Sequence, residues 1–174
     1  MLRGQKQSGF TIVELLIVIV VIGILAAITI VAFNGVQNKA ADTAVQADLN
    51  ALIKRAGFYY AENSRQFATS NEIKEFTASK NGYATAPTTS FNLASCFTTN
   101  GTLYGAVALS KSGKIFYITT AENSVKQYTS GGWFSSSGTA CAAILDTGGT
   151  ITNFNGYLST DTATGPWRSW AGGN

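Results

Sequence analysis

The chain has 174 residues, with 12 basic and 9 acidic side chains, two cysteines and no histidine. Lack of histidine removes the commonest general base and transition-metal ligand, and a net charge of +3 is too small to argue for nucleic acid by bulk electrostatics. Charged residues make up 12 %, about half the usual share, but aromatics and aliphatics run to the end, which excludes a disordered chain.

The first element is an apolar run over residues 10–33, preceded by Arg3 and Lys6 with no acid to balance them. As a helix these 24 residues span about 36 Å, enough to cross a hydrocarbon layer about 30 Å thick. The basic flank predicts a cytoplasmic N-terminus, with the bulk of the chain on the far side. Glu14 is the only charged residue from Gln7 through Asn38. An acid in such a segment costs roughly 2.5–3.5 kcal/mol near the helix centre and less near its end, so it is normally kept for a partner or a task. A plain anchor does not explain it. A secretory signal cut behind the run lacks a small-x-small site, since Ala32 has Ile30 two residues before it. A cut between Gly9 and Phe10 would instead create an ammonium one helical turn from Glu14.

Lys6-Gln7-Ser8-Gly9-Phe10-Thr11-Ile12-Val13-Glu14-Leu15 resembles the class III signal of type IV prepilins and pseudopilins. The match is specific over residues 6–30 and weaker to about residue 63. It implies a leader of residues 1–9, cleavage after Gly9 by a prepilin peptidase, N-methylation of Phe10, and a role for Glu14 in assembly. Cleavage would remove Arg3 and Lys6 and leave 10 basic against 9 acidic residues. The family often carries Gly and, eight residues on, Pro within the helix. Gly23 matches the first position but Val31 stands at the second, so no kink is obligatory. Gly23 is then the weak point, because Gly costs about 1 kcal/mol against Ala in a helix.

Residues 10–34 form the membrane half of this helix and 35–62 its amphipathic continuation. Val45, Leu49, Leu52, Ile53, Ala56 and Tyr60 make one apolar stripe at three- and four-residue steps, with Lys39, Asp42, Asp48, Lys54 and Arg55 mostly off it. Residues 63–174 read as a globular C-terminal domain. Thr69 and Glu72 form a capping box for a short helix with Ile73 and Phe76, and Pro87 ends the following loop. Leu103, Gly105, Val107 and Leu109 share one strand face; two further strands, over 114–119 and 124–129, complete an antiparallel meander at about 102–130. A fourth strand is predicted near 149–154 in a Gly- and Ser-rich tail. The predicted fold is α+β and type IV pilin-like, a long N-terminal helix packed on a small antiparallel sheet.

Cys96 and Cys141 flank the meander, and an even cysteine count in an exported chain usually means a disulfide. Closing that loop would contribute about 4 kcal/mol on the chain-entropy view, with two buried thiols as the other reading. Two cysteines cannot complete a zinc shell, so no metal and no cofactor is expected. Asp146, Asn153, Asn155 and Asp161 could offer oxygens to calcium, but their spacing fits no EF-hand and turn chemistry explains them better. Nine scattered carboxylates, with no Gly-x-Ser-x-Gly and no phosphate loop, give no support to an enzyme. Lys111, Lys114 and Lys126 read as one charged sheet edge that favours solubility.

The resemblance implies a structural subunit of an extracellular type IV pilus-like filament, used in adhesion, twitching motility or DNA uptake. Its implied partners are further copies of the chain, the prepilin peptidase, an assembly platform and the cytoplasmic membrane that holds the precursor. Two alternatives share the signature: a type II secretion pseudopilin, and a competence or adhesive pilin that binds DNA or a host surface. For the last, Trp167, Arg168 and Trp170 are the candidate contacts, because such side chains stack on bases and sugars. Pinning of the tail onto the sheet is the blander use of the same residues.

Overall fold

A computed structural model describes residues 9–62, 78–84, 91–98, 101–131, 137–145 and 153–158. The chain divides into two compact units, Met1–Gln37 and Asn38–Asn174. Helix α1, Ile12–Glu62, is continuous through both. In the first unit its apolar side chains are exposed one after another, from Ile12 at 84 % to Val36 at 67 %, so no face of it is buried. Among the described residues α1 is the one helix long and apolar enough to cross a membrane.

The second unit is built on a five-stranded antiparallel sheet in the order β4-β3-β2-β1-β5. Its strands are β1 (Phe91–Phe97), β2 (Tyr104–Leu109), β3 (Ile115–Thr119), β4 (Lys126–Tyr128) and β5 (Asn153–Leu158). A second helix, α2, spans Ser137–Leu145. The fold is thus α+β, a long N-terminal helix with an antiparallel sheet, as the pattern of the chain implies.

The central strands β1, β2 and β3 carry buried side chains on both faces of the sheet. On one, Tyr104, Ala106 and Ala108 of β2 and Phe116 and Ile118 of β3 pack with Leu93 and Phe97 against Val45, Leu49, Leu52, Ile53 and Ala56 of α1. On the other, Ala94 and Cys96 of β1, Val107 and Leu109 of β2, and Ile115 pack against Ala140, Cys141, Ile144 and Leu145 of α2. Tyr60 is only half-buried, and Tyr59 packs on this core instead. Cys96 and Cys141 are joined, which ties α2 to a central strand. Gly105 makes that packing close. A Cβ there would lie 3.0 Å from Leu145, 3.1 Å from Ile144 and 3.2 Å from the Ile118 carbonyl oxygen.

Three elements differ from the sequence reading. β1 and α2 fall in stretches read as loop and tail, and β5 lies at Asn153–Leu158 rather than 149–154, paired with β1. The short helix predicted behind Thr69 and Glu72, and Pro87, lie outside the described residues.

Asp42 and Asp48, expected off the apolar stripe, are buried and fasten α1 to the sheet unit. Asp42 accepts from Ser110 at 2.6 Å, from Ser112, and from Lys114 Nζ at 2.7 Å, all from the β2–β3 turn. Asp48 accepts from the Ser79 amide at 2.6 Å, the Ser79 hydroxyl at 2.9 Å and the Tyr83 hydroxyl at 2.9 Å. The two anchored segments are themselves bonded, Lys111 N–H to the Gly82 carbonyl and Ala84 N–H to that of Leu109. Burial raises the Asp42 carboxyl pKa, but bonds from Lys114, Ser110 and Ser112 and the Lys114 charge outweigh it, leaving it below the ordinary value. At Asp48 burial outweighs the bonds from Ser79 and Tyr83, so its pKa is raised. Burial and the Asp48 charge likewise push the Tyr83 phenol well up.

Two outcomes are expected for the detergent-solubilised chain. Gly105→Ala should destabilise it by about 1–3 kcal/mol in thermal unfolding, because the methyl meets a backbone carbonyl as well as side chains. Gly57→Ala, in open space on α1, should stabilise it by about 1 kcal/mol. The carboxylates should titrate with opposite sign. The depressed Asp42 stabilises above its unfolded pKa of about 3.9 and loses that contribution as pH falls through its folded value. Charged Asp48 costs stability above its raised folded value, and the cost is relieved as pH falls toward the unfolded one. In unfolding melts across pH, Asp42→Asn should therefore blunt acid destabilisation, while Asp48→Asn should lose the gain seen at mildly acid pH.

Candidate assembly and processing site

The chain enters α1 through three exposed residues with no regular structure, Gly9, Phe10 and Thr11. Phe10 is 90 % exposed, and a Cβ on Gly9 would touch nothing within 4 Å. The bond between Gly9 and Phe10 lies outside the helix, and both of its residues are exposed.

Helix α1 starts at Ile12 because Thr11 and Glu14 close its first turn. The Thr11 amide and hydroxyl each donate to Glu14 Oε2 at 2.8 Å, and the Glu14 amide donates back to Thr11 Oγ1 at 3.2 Å. The first helical bond follows, from the Leu15 amide to the Thr11 carbonyl at 3.2 Å. This Thr-x-x-Glu arrangement is a capping box, which satisfies amides that a helix start leaves without partners. Sequence reasoning named Glu14 but missed this use of it. The signal is in the chain: Thr11 and Glu14 have the same Thr-x-x-Glu spacing as Thr69 and Glu72, but within an apolar run.

Glu14 thus has three properties at once. It caps its own helix, it stands in the first turn where the helix dipole favours negative charge, and it leaves Oε1 for a further donor. From Ile12 to Val36 the large side chains around it are exposed and apolar. Such a surface needs lipid or other apolar helices against it.

Of the remaining predicted residues, those described belong to the second unit. Cys96 and Cys141 are buried between β1 and α2 and serve the fold. The three lysines are separated: Lys114 bonds Asp42, Lys126 on edge strand β4 bonds Glu122 at 2.7 Å, and Lys111 lies exposed in the β2–β3 turn. They form no single charged edge. Of the four oxygen donors considered for calcium, Asn153 and Asn155 lie on β5 opposite Phe97 and Ser95, while Asp146 and Asp161 lie outside the described residues. Among the described residues no three acidic or sulfur side chains converge as metal ligands. Trp167, Arg168 and Trp170 also lie outside the described residues.

Comparison with known proteins gives the same N-terminal emphasis. The family described as the prokaryotic N-terminal methylation motif matches residues 4–30. The type II secretion system core protein G of Klebsiella michiganensis is 36 % identical over 73 residues, 42 % of this chain and 51 % of that protein. The type IV wide pilus major component PilA4 of Thermus thermophilus is 41 % identical over 68 residues, covering 39 % and 50 %. The type IV major pilin protein PilA of Myxococcus xanthus is 37 % identical over 70 residues, covering 40 % and 32 %. These matches span about half the length of the relatives or less. No solved structure matches the chain significantly. With the methylation motif at its start and pilins and pseudopilins as its relatives, the chain is a pilin- and pseudopilin-like protein.

Proposed function

We propose that the chain is a structural subunit of an extracellular type IV pilus-like filament. It is made as a membrane-held precursor with its N-terminus inside and its C-terminal unit outside. One observation carries this reading: within six residues, an open Gly9–Phe10 bond, a capped helix start and a lone carboxylate stand at the head of an exposed apolar helix. Cleavage by a prepilin peptidase would leave a Phe10 ammonium beside the capped turn. That charge sits at the positive end of the helix dipole and needs a carboxylate nearby.

Filament assembly then exchanges lipid for neighbouring helices, one apolar medium for another, with lateral packing of Ile, Leu and Val holding the polymer. Glu14 Oε2 stays with Thr11, and Oε1 receives a neighbour's Phe10 ammonium. A stagger of one helical turn, about 5.4 Å, or more brings such charges together and fixes the register. Adhesion, motility and DNA uptake are all compatible uses of the polymer. A second reading, a pseudopilin of a type II secretion machine, is favoured by the several relatives named core protein G. Electron microscopy of sheared cell surfaces separates the two, since long filaments support the pilus and their absence the short secretion fibre.

Three outcomes test the chemistry. Mass spectrometry of the assembled subunit should find Phe10 first and one methyl group heavier; an intact Met1 or a start after Ala32 would refute the processing. Glu14→Leu should be cleaved and inserted but should not assemble, because removing one partner of a buried ion pair costs about 3–5 kcal/mol at every contact. Glu14→Gln separates the duties, since Gln can still accept from Thr11 but carries no charge. It should also fail to assemble; normal filaments from Glu14→Gln would show that the cap, not the ion pair, is what assembly needs.

A further inference from the structure

The second unit begins at Asn38, and Lys39 and Asp42 share one side of α1 just behind that point. Asp42 accepts from Ser110, Ser112 and Lys114, so the β2–β3 turn is held against this part of the helix. The turn is tight: the Gly113 amide donates to the Ser110 carbonyl at 2.9 Å, the Ser110 amide donates to the Lys114 carbonyl at 2.8 Å, and Gly113 takes a φ of 86°. Lys111 is tied through its amide to the Gly82 carbonyl but is itself exposed, as is Lys39. Gly82 in turn lies against α1, since a Cβ there would be 3.2 Å from both the Ala41 carbonyl oxygen and the Ala44 Cβ. Three lysine-bearing segments therefore meet at one end of the unit: the start of its helix, the β2–β3 turn and the single helical turn Lys80–Gly82.

The charge at this end is one-sided. Lys114 pairs with Asp42 at 2.7 Å, whereas among the described residues no acid pairs with Lys39 or Lys111. Asp48 is buried against Ser79 and Tyr83, Glu62 closes the far end of α1, and Glu122 follows the far end of β3. The chain itself fixes what this end faces. Phe33 closes the apolar run; Lys39 is about 9 Å beyond it along the helix and Asp42 about 14 Å. These are upper limits set by the helix path, so they do not depend on how the sheet unit is turned. Headgroups fill about 5–8 Å beyond the hydrocarbon layer. With α1 across a bilayer, Lys39 stands at their outer boundary. Asp42, with the turn pinned to it, lies within about 10 Å of them, a Debye length at 0.1 M salt. Long lysine stems carry the ammonium groups toward phosphate, which they meet as point charges.

We propose that Lys39 and Lys111, with Lys114 beside them, form a basic patch that docks the second unit of the membrane-held precursor on an anionic phospholipid surface, through the headgroup phosphates. This docking rests on the reading of α1 as a membrane span and adds a resting place for the sheet unit before assembly. Entry into a filament then breaks these polar contacts as well as exchanging lipid for helices.

The test uses the full chain in vesicles of phosphatidylcholine, with or without phosphatidylglycerol. A membrane-permeant amine-acylating reagent is read lysine by lysine by mass spectrometry. Phosphatidylglycerol should slow acylation of Lys111 about tenfold and leave Lys126, on edge strand β4, unchanged. Salt at about 1 M should abolish the protection, because the Debye length falls to about 3 Å. Lys39→Gln should cut the protection of Lys111 about fivefold, the share of one lysine at an anionic surface. Equal acylation of Lys111 in the two vesicles, in a chain that floats with both, overturns the docking and leaves the membrane span standing. A chain that floats with neither overturns both. Protection that appears in phosphatidylcholine alone and grows with the protein-to-lipid ratio assigns the surface to a second copy and overturns the docking. Equal slowing at Lys126 and Lys111 overturns it as well, since the effect then has no address on the molecule.

Discussion

The contact that positions most of the second unit is the apolar one between α1 and the sheet. Val45, Leu49, Leu52, Ile53 and Ala56 cover Tyr104, Ala106, Ala108, Phe116 and Ile118, and these alternate positions commit one face of β2 and β3. The residues between them, Gly105, Val107, Leu109 and Ile115, are apolar as well and must be covered by something else. Nine residues of α2 do so, a length that is marginal as a free helix in water. Its position is therefore over-determined by means other than propensity: a covalent link to β1, a glycine that lets it approach, and the apolar area it hides.

Polar contacts decide where that apolar contact sits along the helix. A stripe of Val, Leu, Ile and Ala can slide by a turn at modest cost. Two carboxylates with six donors between them cannot, because a shift would leave buried oxygens and hydroxyls without partners, at about 1–3 kcal/mol each. Asp42 and Asp48 thus act as register pins within the second unit. Glu14 does comparable work in the first, where it fixes the point at which helix begins.

How much of this was legible depends on which residues faced one environment and which faced two. Helix α1 was readable from the 3.6-residue spacing of Val45, Leu49, Leu52 and Ala56 and from the unbroken apolar run before it. Asp42 and Asp48 were misread because amphipathic reasoning sends charge outward, and nothing local says that Ser110, Lys114, Ser79 and Tyr83 will come to meet them from 31 to 72 residues away. β1 hid itself because both of its faces are buried, so Phe-Asn-Leu-Ala-Ser-Cys-Phe lacks the alternation that marks a one-sided strand. β5 carries Asn153, Asn155 and Gly156, turn formers that pairing with β1 overrides. The Thr11–Glu14 cap was fully legible and was masked by its surroundings.

The disulfide also has a mechanical meaning. Cys96 and Cys141 enclose β2, β3 and β4, so three of the five strands lie inside a covalent loop of sequence separation 45. A pull applied at the two ends of the chain passes through the sulfur–sulfur bond and bypasses that loop. However far the rest unravels, about 150 Å of contour length stays out of reach of the load, at about 3.4 Å per residue. The middle of the sheet is thereby insulated from tension, and only the N-terminal helix side and the residues beyond Cys141 can lengthen.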